Sequence, residues 1–190
     1  MADRFDSFQD MSAHMHQDVD FRLRYDDRGT SVIVIAPHGG TIEPGTSQIA
    51  QAIAASDLSF YAFEALKDGP HGDFHITSHR FDEPTALGLV GRATSAVAVH
   101  GRKDDGTDTV WLGGRATVMQ AAIGVSLRAA GFDAEANQTL PGRHRSNICN
   151  RTLSGAGVQL ELPRSLRRRL MAKQDAMTRF CDAVRHAILA

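Results

Sequence analysis

Apolar and polar positions along this chain follow two rhythms, and their alternation predicts strands interleaved with helices. From Asp20 to Asp26 the residues DFRLRYD alternate, which predicts a half-exposed edge strand; DDRG then turns the chain into Ser31–Ala36, a continuous apolar run of a buried strand. Pro37 ends that run, and His38, Gly39 and Gly40 read as a tight loop. Thr46 or Ser47 then offers an N-cap for a helix of about three turns, with Ile49, Ala52 and Ile53 on its buried face. Further strands are predicted over Leu58–Leu66, around Phe74–Ile76 after the polar loop KDGPHGD, over Ser95–His100, Thr109–Leu112 and Phe132–Ala136, and over Gly157–Leu162. His75 alternates with Phe74 and Ile76, so it is read as a strand side chain on the opposite face. A strongly apolar helix should run to about Ala130 and stop at Gly131. Pro163 should open one long amphipathic helix to about Leu189, burying Leu166, Leu170, Met177, Cys181, Val184 and Ile188. The fold class is therefore α/β.

Size and charge narrow the picture. The 190 residues suit one domain, here 20–190, preceded by a polar, aperiodic stretch at 1–19 that reads as a flexible or loosely docked arm. Its His14 and His16 are expected to be adventitious rather than ligands. With 42% apolar and 23% charged residues the composition is that of a soluble globular protein, not a disordered or fibrous one. Charge is uneven: residues 1–30 hold seven Asp and four Arg, whereas 141–170 hold seven Arg and one Glu, a segment suited to an anionic ligand. Cys149 and Cys181 belong to no metal-ribbon or CxxC pattern, so a reduced state is expected. No apolar h-region or membrane-length run is present, which predicts a cytoplasmic protein without a signal peptide, released if at all by host lysis, and no membrane partner.

The candidate chemistry gathers at strand ends. His38 and Glu43 place a nitrogen and a carboxylate donor on one glycine-bearing loop, and zinc is the ion that such a pair suggests. The alternative is that His38 satisfies buried backbone groups and Glu43 is solvated. A second apolar strand, SAVAVH, also ends in a histidine followed by glycine, and C-terminal strand ends are where α/β sheets collect functional groups. His38, Glu43 and His100 together make the two-nitrogen, one-carboxylate set of a catalytic zinc with an open fourth position. Glu161 stands near the end of GVQLEL; from the residues alone it is either a catalytic carboxylate or a partner of Arg164.

Taken together, APHGGTIEPGT, FEALK, HITSHRFDEP, VAVHG, WLGG, SNICNR and GVQLEL resemble the zinc-dependent poly-γ-glutamate hydrolases of bacteriophages of bacilli and their bacterial relatives, over roughly residues 20–170. The resemblance implies a three-layer fold related to zinc carboxypeptidases, with a mixed central sheet flanked by helices, and cleavage of the γ-glutamyl amide bond. It implies one Zn2+ held by His38, Glu43 and His100, with Glu161 as the general base. A substrate bearing a carboxylate on every residue calls for arginine, which binds planar oxyanions in a fixed fork. Arg151 is the first candidate, with Asn150 beside it in a pair that resembles the carboxylate clamp of carboxypeptidases, and Arg80 is the second. Arg143 and Arg145 could extend the positive path, while Arg167, Arg168 and Arg169 are expected on the solvent face of the last helix. The partner would be an anionic γ-glutamyl polymer or a related small-molecule amide. Two other readings stand beside this one: a zinc amidohydrolase of small N-acyl amino acids, and a nucleic-acid-binding accessory protein resting only on RSLRRRLMAK and the arginine-bearing loop.

Overall fold

Seven strands form one mixed sheet in the order β1-β3-β2-β4-β7-β5-β6. They are β1 (Phe21–Asp26), β2 (Val32–Gly40), β3 (Ser59–Ala65), β4 (Ser95–Arg102), β5 (Val110–Gly114), β6 (Ala134–Ala136) and β7 (Val158–Pro163). In this computed structural model the described residues are 3–67, 69 and 71–190; Met1 and Ala2 of the expected arm, and Asp68 and Pro70 of KDGPHGD, lie outside them. Strands β3, β2, β4 and β7 run parallel; β1 pairs antiparallel with β3, β5 pairs antiparallel with β7, and β6 runs parallel to β5. The mixed α/β sheet is thus as the sequence predicts, and β1 is the edge strand expected of an alternating segment.

Because successive side chains leave a strand on opposite sides, each central strand feeds two cores. Val32, Val34, Ala36, Val97, Val99, Val158, Leu160 and Leu162 pack under α2 (Thr46–Ala54), α4 (Thr117–Ala129), α5 (Arg164–Ala172) and α6 (Gln174–Leu189). Ile33, Ile35, Tyr61, Phe63, Ala96 and Ala98 face the other way, toward α3 (Pro84–Arg92), the segment carrying Phe74, Ile76 and Phe81, and the N-terminal residues Phe5 and Met11. Each fully buried side chain of this size contributes roughly 1.5–3 kcal/mol of transfer free energy, so both layers are integral to stability. Cys149 and Cys181 belong to different layers and are free thiols. Among the described residues no helix is long and apolar enough to cross a membrane.

Several local expectations need correction. Residues 74–77 are irregular, not a strand, so His75 is not the outward side chain of a sheet. The last helix is two: Lys173 is extended (φ −130°, ψ 102°) between α5 and α6, where the apolar stripe has no member at 173 or 174. Helix α3 escapes the apolar pattern, since two glycines dilute it; it is fixed by Pro at its start and by the Glu83 side chain, which accepts from Thr85 N and Ala86 N. Arg167 does not face solvent. Its buried guanidinium donates to the carbonyls of Pro44 (2.6 Å), Leu162 (3.2 Å) and Arg102 (3.3 Å), which ties α5 to the ends of β4 and β7. With Arg167 buried and Arg169 paired to Asp108 at 3.0 Å, the arginine run offers no continuous basic face.

Among the described N-terminal residues, Phe5 and Met11 are buried against the sheet. Ser7 caps the short helix α1 (Phe8–Ser12), and Phe8 packs edge-on against Phe21 and Phe63.

Candidate metal centre and its cleft

Strand β2 does not end at Pro37 but continues to Gly40, and its pairing with β3 shifts register between Ala36 and Gly39. That bulge turns His38 toward the layer containing Phe81 and His75, whose rings lie 6.3 and 4.1 Å from its own. Gly39 is required at the bend, because a Cβ there would stand 1.9 Å from Ser47 Oγ at the start of α2. The next turn is closed by Glu43 N donating to His38 O at 3.0 Å and by Thr46 Oγ1 donating to Glu43 O at 2.9 Å. This folds the Glu43 carboxylate back over the strand end, where its Oε2 accepts from Gly101 N at 2.7 Å. His100 arrives from β4 directly opposite Glu161 of β7, so both project from the same side of adjacent strands.

Three donor atoms converge. His38 Nδ1 lies 3.3 Å from Glu43 Oε1 and 3.2 Å from His100 Nδ1, and His100 Nδ1 lies 3.8 Å from Glu43 Oε2. His38 is oriented from behind, its Nε2–H donating to Ile76 O at 2.8 Å, so Nδ1 is the atom that points into the cluster. Ser78 Oγ stands 3.5 Å from His100 Nε2 in a similar place. His75 adds a further nitrogen: one donor atom each of His38, Glu43 and His75 lie within 4.8 Å of one another.

Burial sets the charge state of the cluster. His38, Glu43, His100 and Glu161 are 2%, 6%, 3% and 7% exposed. Burial alone would neutralise His38, but the Glu43 carboxylate outweighs it and raises the imidazole pKa. Burial likewise opposes ionisation of Glu43, yet the His38 charge and hydrogen bond bring it down to about 2. His100 falls to about 3, first through burial and then through the neighbouring His38 charge.

Glu161 is pushed up to about 8, first by burial and then by the Glu43 charge. Gln159, two residues earlier on the same face of β7, donates from Nε2 to Glu161 Oε1 at 2.9 Å and is itself held by Asn147 Nδ2 at 3.0 Å. The four buried groups open into a cleft of about 770 Å3 whose rim carries Lys103, Arg143, His79 and His144. The rings of His79 and His144 are 5.1 Å apart.

A family model described as poly-gamma-glutamate hydrolase matches residues 5–183. The chain belongs to the poly-gamma-glutamate hydrolase family. It is 33% identical over 172 residues to the SPbeta prophage-derived protein YoqZ of Bacillus subtilis strain 168, which covers 89% of this chain and 62% of that protein. Protein YndL of the same strain is 34% identical over 80% of this chain and 60% of its own length, so the chain spans about three fifths of these relatives. Among solved structures, that of a bacteriophage poly-gamma-glutamate hydrolase superposes with a TM-score of 0.92 at 27% identity, covering 99% of this chain and 97% of that one. A zinc-free structure of YndL gives 0.90 at 27% identity over 98% and 97% of the two chains.

Within this member of the family, the site residues expected from sequence separate into two groups. His38, Glu43, His100 and Glu161 share the cleft wall, whereas Asn150, Arg151 and Arg80 stand outside it. Asn150 is spent on backbone: Oδ1 accepts from Arg115 N and Gly157 N, and Nδ2 donates to Gly142 O at 2.8 Å and His144 O at 3.0 Å. Arg151 donates from Nε to Ser146 O at 2.8 Å. Both therefore fasten the loop that carries Arg143 and His144 to the rim. Arg80 turns away from the cleft to Asp3, at 3.0 Å, and Asp6. His75, which the sequence pattern favours as a strand side chain over a ligand, and Gln159 join the site; Gln159 carries a signal, its period-two placement before Glu161, whereas the irregular loop of His75 carries none.

Proposed function

We propose that this chain is a zinc-dependent hydrolase that cleaves γ-glutamyl amide bonds of poly-γ-glutamate or a related anionic amide. The observation that carries the reading is the convergence of His38 Nδ1, Glu43 and His100 Nδ1 within 3.8 Å of one another in a family member whose Glu161 lines the same cleft. The donor set fits the ion. Zinc–nitrogen bonds of about 2.0–2.1 Å in a tetrahedron bring ligand atoms to about 3.3 Å from each other, close to the spacings here. His38 has its second nitrogen engaged by a carbonyl, as metal-binding histidines do. When bound, zinc supplies a Lewis acid and activation of water at neutral pH.

The remaining chemistry falls to side chains. Gln159 fixes Glu161 Oε1, leaving Oε2 to take a proton from the attacking water and pass it to the departing amine nitrogen. A carboxyl group near neutrality in its proton affinity suits both halves of that transfer. Lys103, Arg143, His79 and His144 at the rim would engage the carboxylates that flank each γ-linkage. Asn150 and Arg151 would serve binding through the loop that they hold.

The experiment is direct. The purified protein should contain zinc, shorten poly-γ-glutamate, lose that activity on dialysis against a chelator and regain it on adding zinc. Full activity in a metal-free sample would overturn the mechanism, and cleavage of N-acyl glutamate without shortening of the polymer would move the substrate to a small amide.

A further inference from the structure

Segment 74–80 supports both histidines of the metal cluster from outside, and it belongs to no helix or strand. Ile76 O accepts from His38 Nε2, and Ser78 faces His100 Nε2. Without a backbone ladder, the Ile76 carbonyl is positioned by isolated ties on either side of it. On the far side Ile148 N donates to Ser78 O at 2.9 Å, and Arg80 N to Thr77 O at 2.7 Å. On the near side the tie is Asp3, seventy-three positions upstream of Ile76. Its nearly buried carboxylate accepts from His75 Nδ1 at 2.6 Å through Oδ1, and from Thr77 N at 2.8 Å, Thr77 Oγ1 at 2.7 Å and Arg80 Nη2 at 3.0 Å through Oδ2. One side chain thus holds both residues that flank Ile76, and the His75 ring lies 4.1 Å from the His38 ring, tilted by 38°.

We propose that Asp3 is a positioning residue of the metal centre: by clamping His75 and Thr77 it fixes the Ile76 carbonyl, and through it the direction of His38 Nδ1. The inference rests on the metal reading above. It makes the N-terminal segment part of the site, whereas a role limited to docking that segment would affect stability alone. Outer partners that orient a ligating histidine are typically worth about 10–100-fold in metal affinity.

The test reads zinc affinity by competition with a chromogenic chelator, alongside the thermal midpoint of the metal-free protein. Asp3→Ala should weaken zinc binding about tenfold or more. Asp6→Ala, which breaks only the arm's other pairing with Arg80, should leave the affinity unchanged even where the midpoint falls. Should Asp3→Ala not fold, Thr77→Val removes one of the four bonds and should weaken binding about threefold. Zinc affinity within about twofold of wild type in folded Asp3→Ala, or in Thr77→Val where Asp3→Ala fails to fold, overturns the proposal. If the wild-type protein itself binds no zinc, the metal reading fails and this inference with it; tight binding in wild type and variant alike sinks the inference alone.

Discussion

The two faces of the sheet are built on different principles. One is covered by α2, α4, α5 and α6, whose apolar stripes meet Val34, Val97, Val99, Leu160 and Leu162; it is a packed hydrocarbon layer. The other is covered by the N-terminal segment, the irregular residues 74–82, α3 and the loops before β7, and it contains every buried donor of the candidate metal centre. Its pieces are fixed by side-chain hydrogen bonds: to backbone from His38 on Ile76, Asp3 on Thr77, and Asn150 on Gly142 and His144, and between side chains from Asn147 through Gln159 to Glu161. Apolar packing is non-directional and tolerates repacking, whereas hydrogen bonds fix orientation, which a metal and a proton-transfer group both require. Both faces therefore supply packing, and the irregular one adds the hydrogen bonds that fix the geometry of the site.

The comparison breaks if substitutions on the two faces have the same signature. The largest effect should come from Glu161→Gln. Loss of the proton-transferring carboxylate should lower kcat by about 10^2–10^4-fold while zinc content stays stoichiometric. Retained turnover would remove Glu161 from the reaction. On the helical face, Phe180 is fully buried and meets Phe132 edge-to-face at 5.2 Å. Phe180→Ala should cost about 3–5 kcal/mol in urea unfolding yet leave kcat per folded molecule unchanged. A large fall in kcat without loss of stability would show that the helical face is not merely structural.

The same division explains what could be read from the sequence. Strands β2, β4 and β7 and helices α2, α4 and α6 announce themselves because burial on one face imposes a period, and His38, His100 and Glu161 are legible because they sit at the ends of such runs. Glu43 follows His38 on the same turn. The irregular face imposes no period, so His75 was assigned to a strand that does not form, and the link from Asp3 to residues 75–80, across more than seventy positions, left no local trace. Arg80 and Asn150 show the complementary case. A polar residue near a motif looks like a ligand contact until its partners are known, and here those partners are Asp3 and Asp6 for one and backbone groups for the other.

A pH titration of the metal-free protein sharpens the contrast further. Glu161 has a folded-state pKa of about 8 against an ordinary 4.5, raised by burial and by Glu43. A raised carboxyl pKa means that the folded form binds the proton more tightly. Its stabilisation is complete below about 4.5 and disappears as pH rises through about 8. His38, also raised, acts in the same direction. Below about 6.5 the lowered His100 and His75 act the other way, so the thermal midpoint of the metal-free protein should fall as pH rises from about 6.5 through about 8, and Glu161→Gln, which cannot ionise, should flatten that slope and be the more stable of the two at pH 8. Identical slopes in the two proteins would show that Glu161 is not held neutral by the fold.

The smallest effect belongs to the rim. Arg143 is exposed at the cleft, so water and salt weaken whatever pairing it makes with a substrate carboxylate. Arg143→Ala should raise KM for poly-γ-glutamate by about three- to tenfold, with kcat and the unfolding midpoint unchanged, and the difference from wild type should shrink at high salt. Arg151→Ala offers the contrast that gives the measurement its meaning. Because that guanidinium holds Ser146 O from behind the rim, its loss should affect KM through disorder of the loop and should therefore be insensitive to ionic strength. If Arg151→Ala carried the salt dependence and Arg143→Ala did not, the carboxylate clamp would lie at Arg151 and the loop would have to open to admit the polymer.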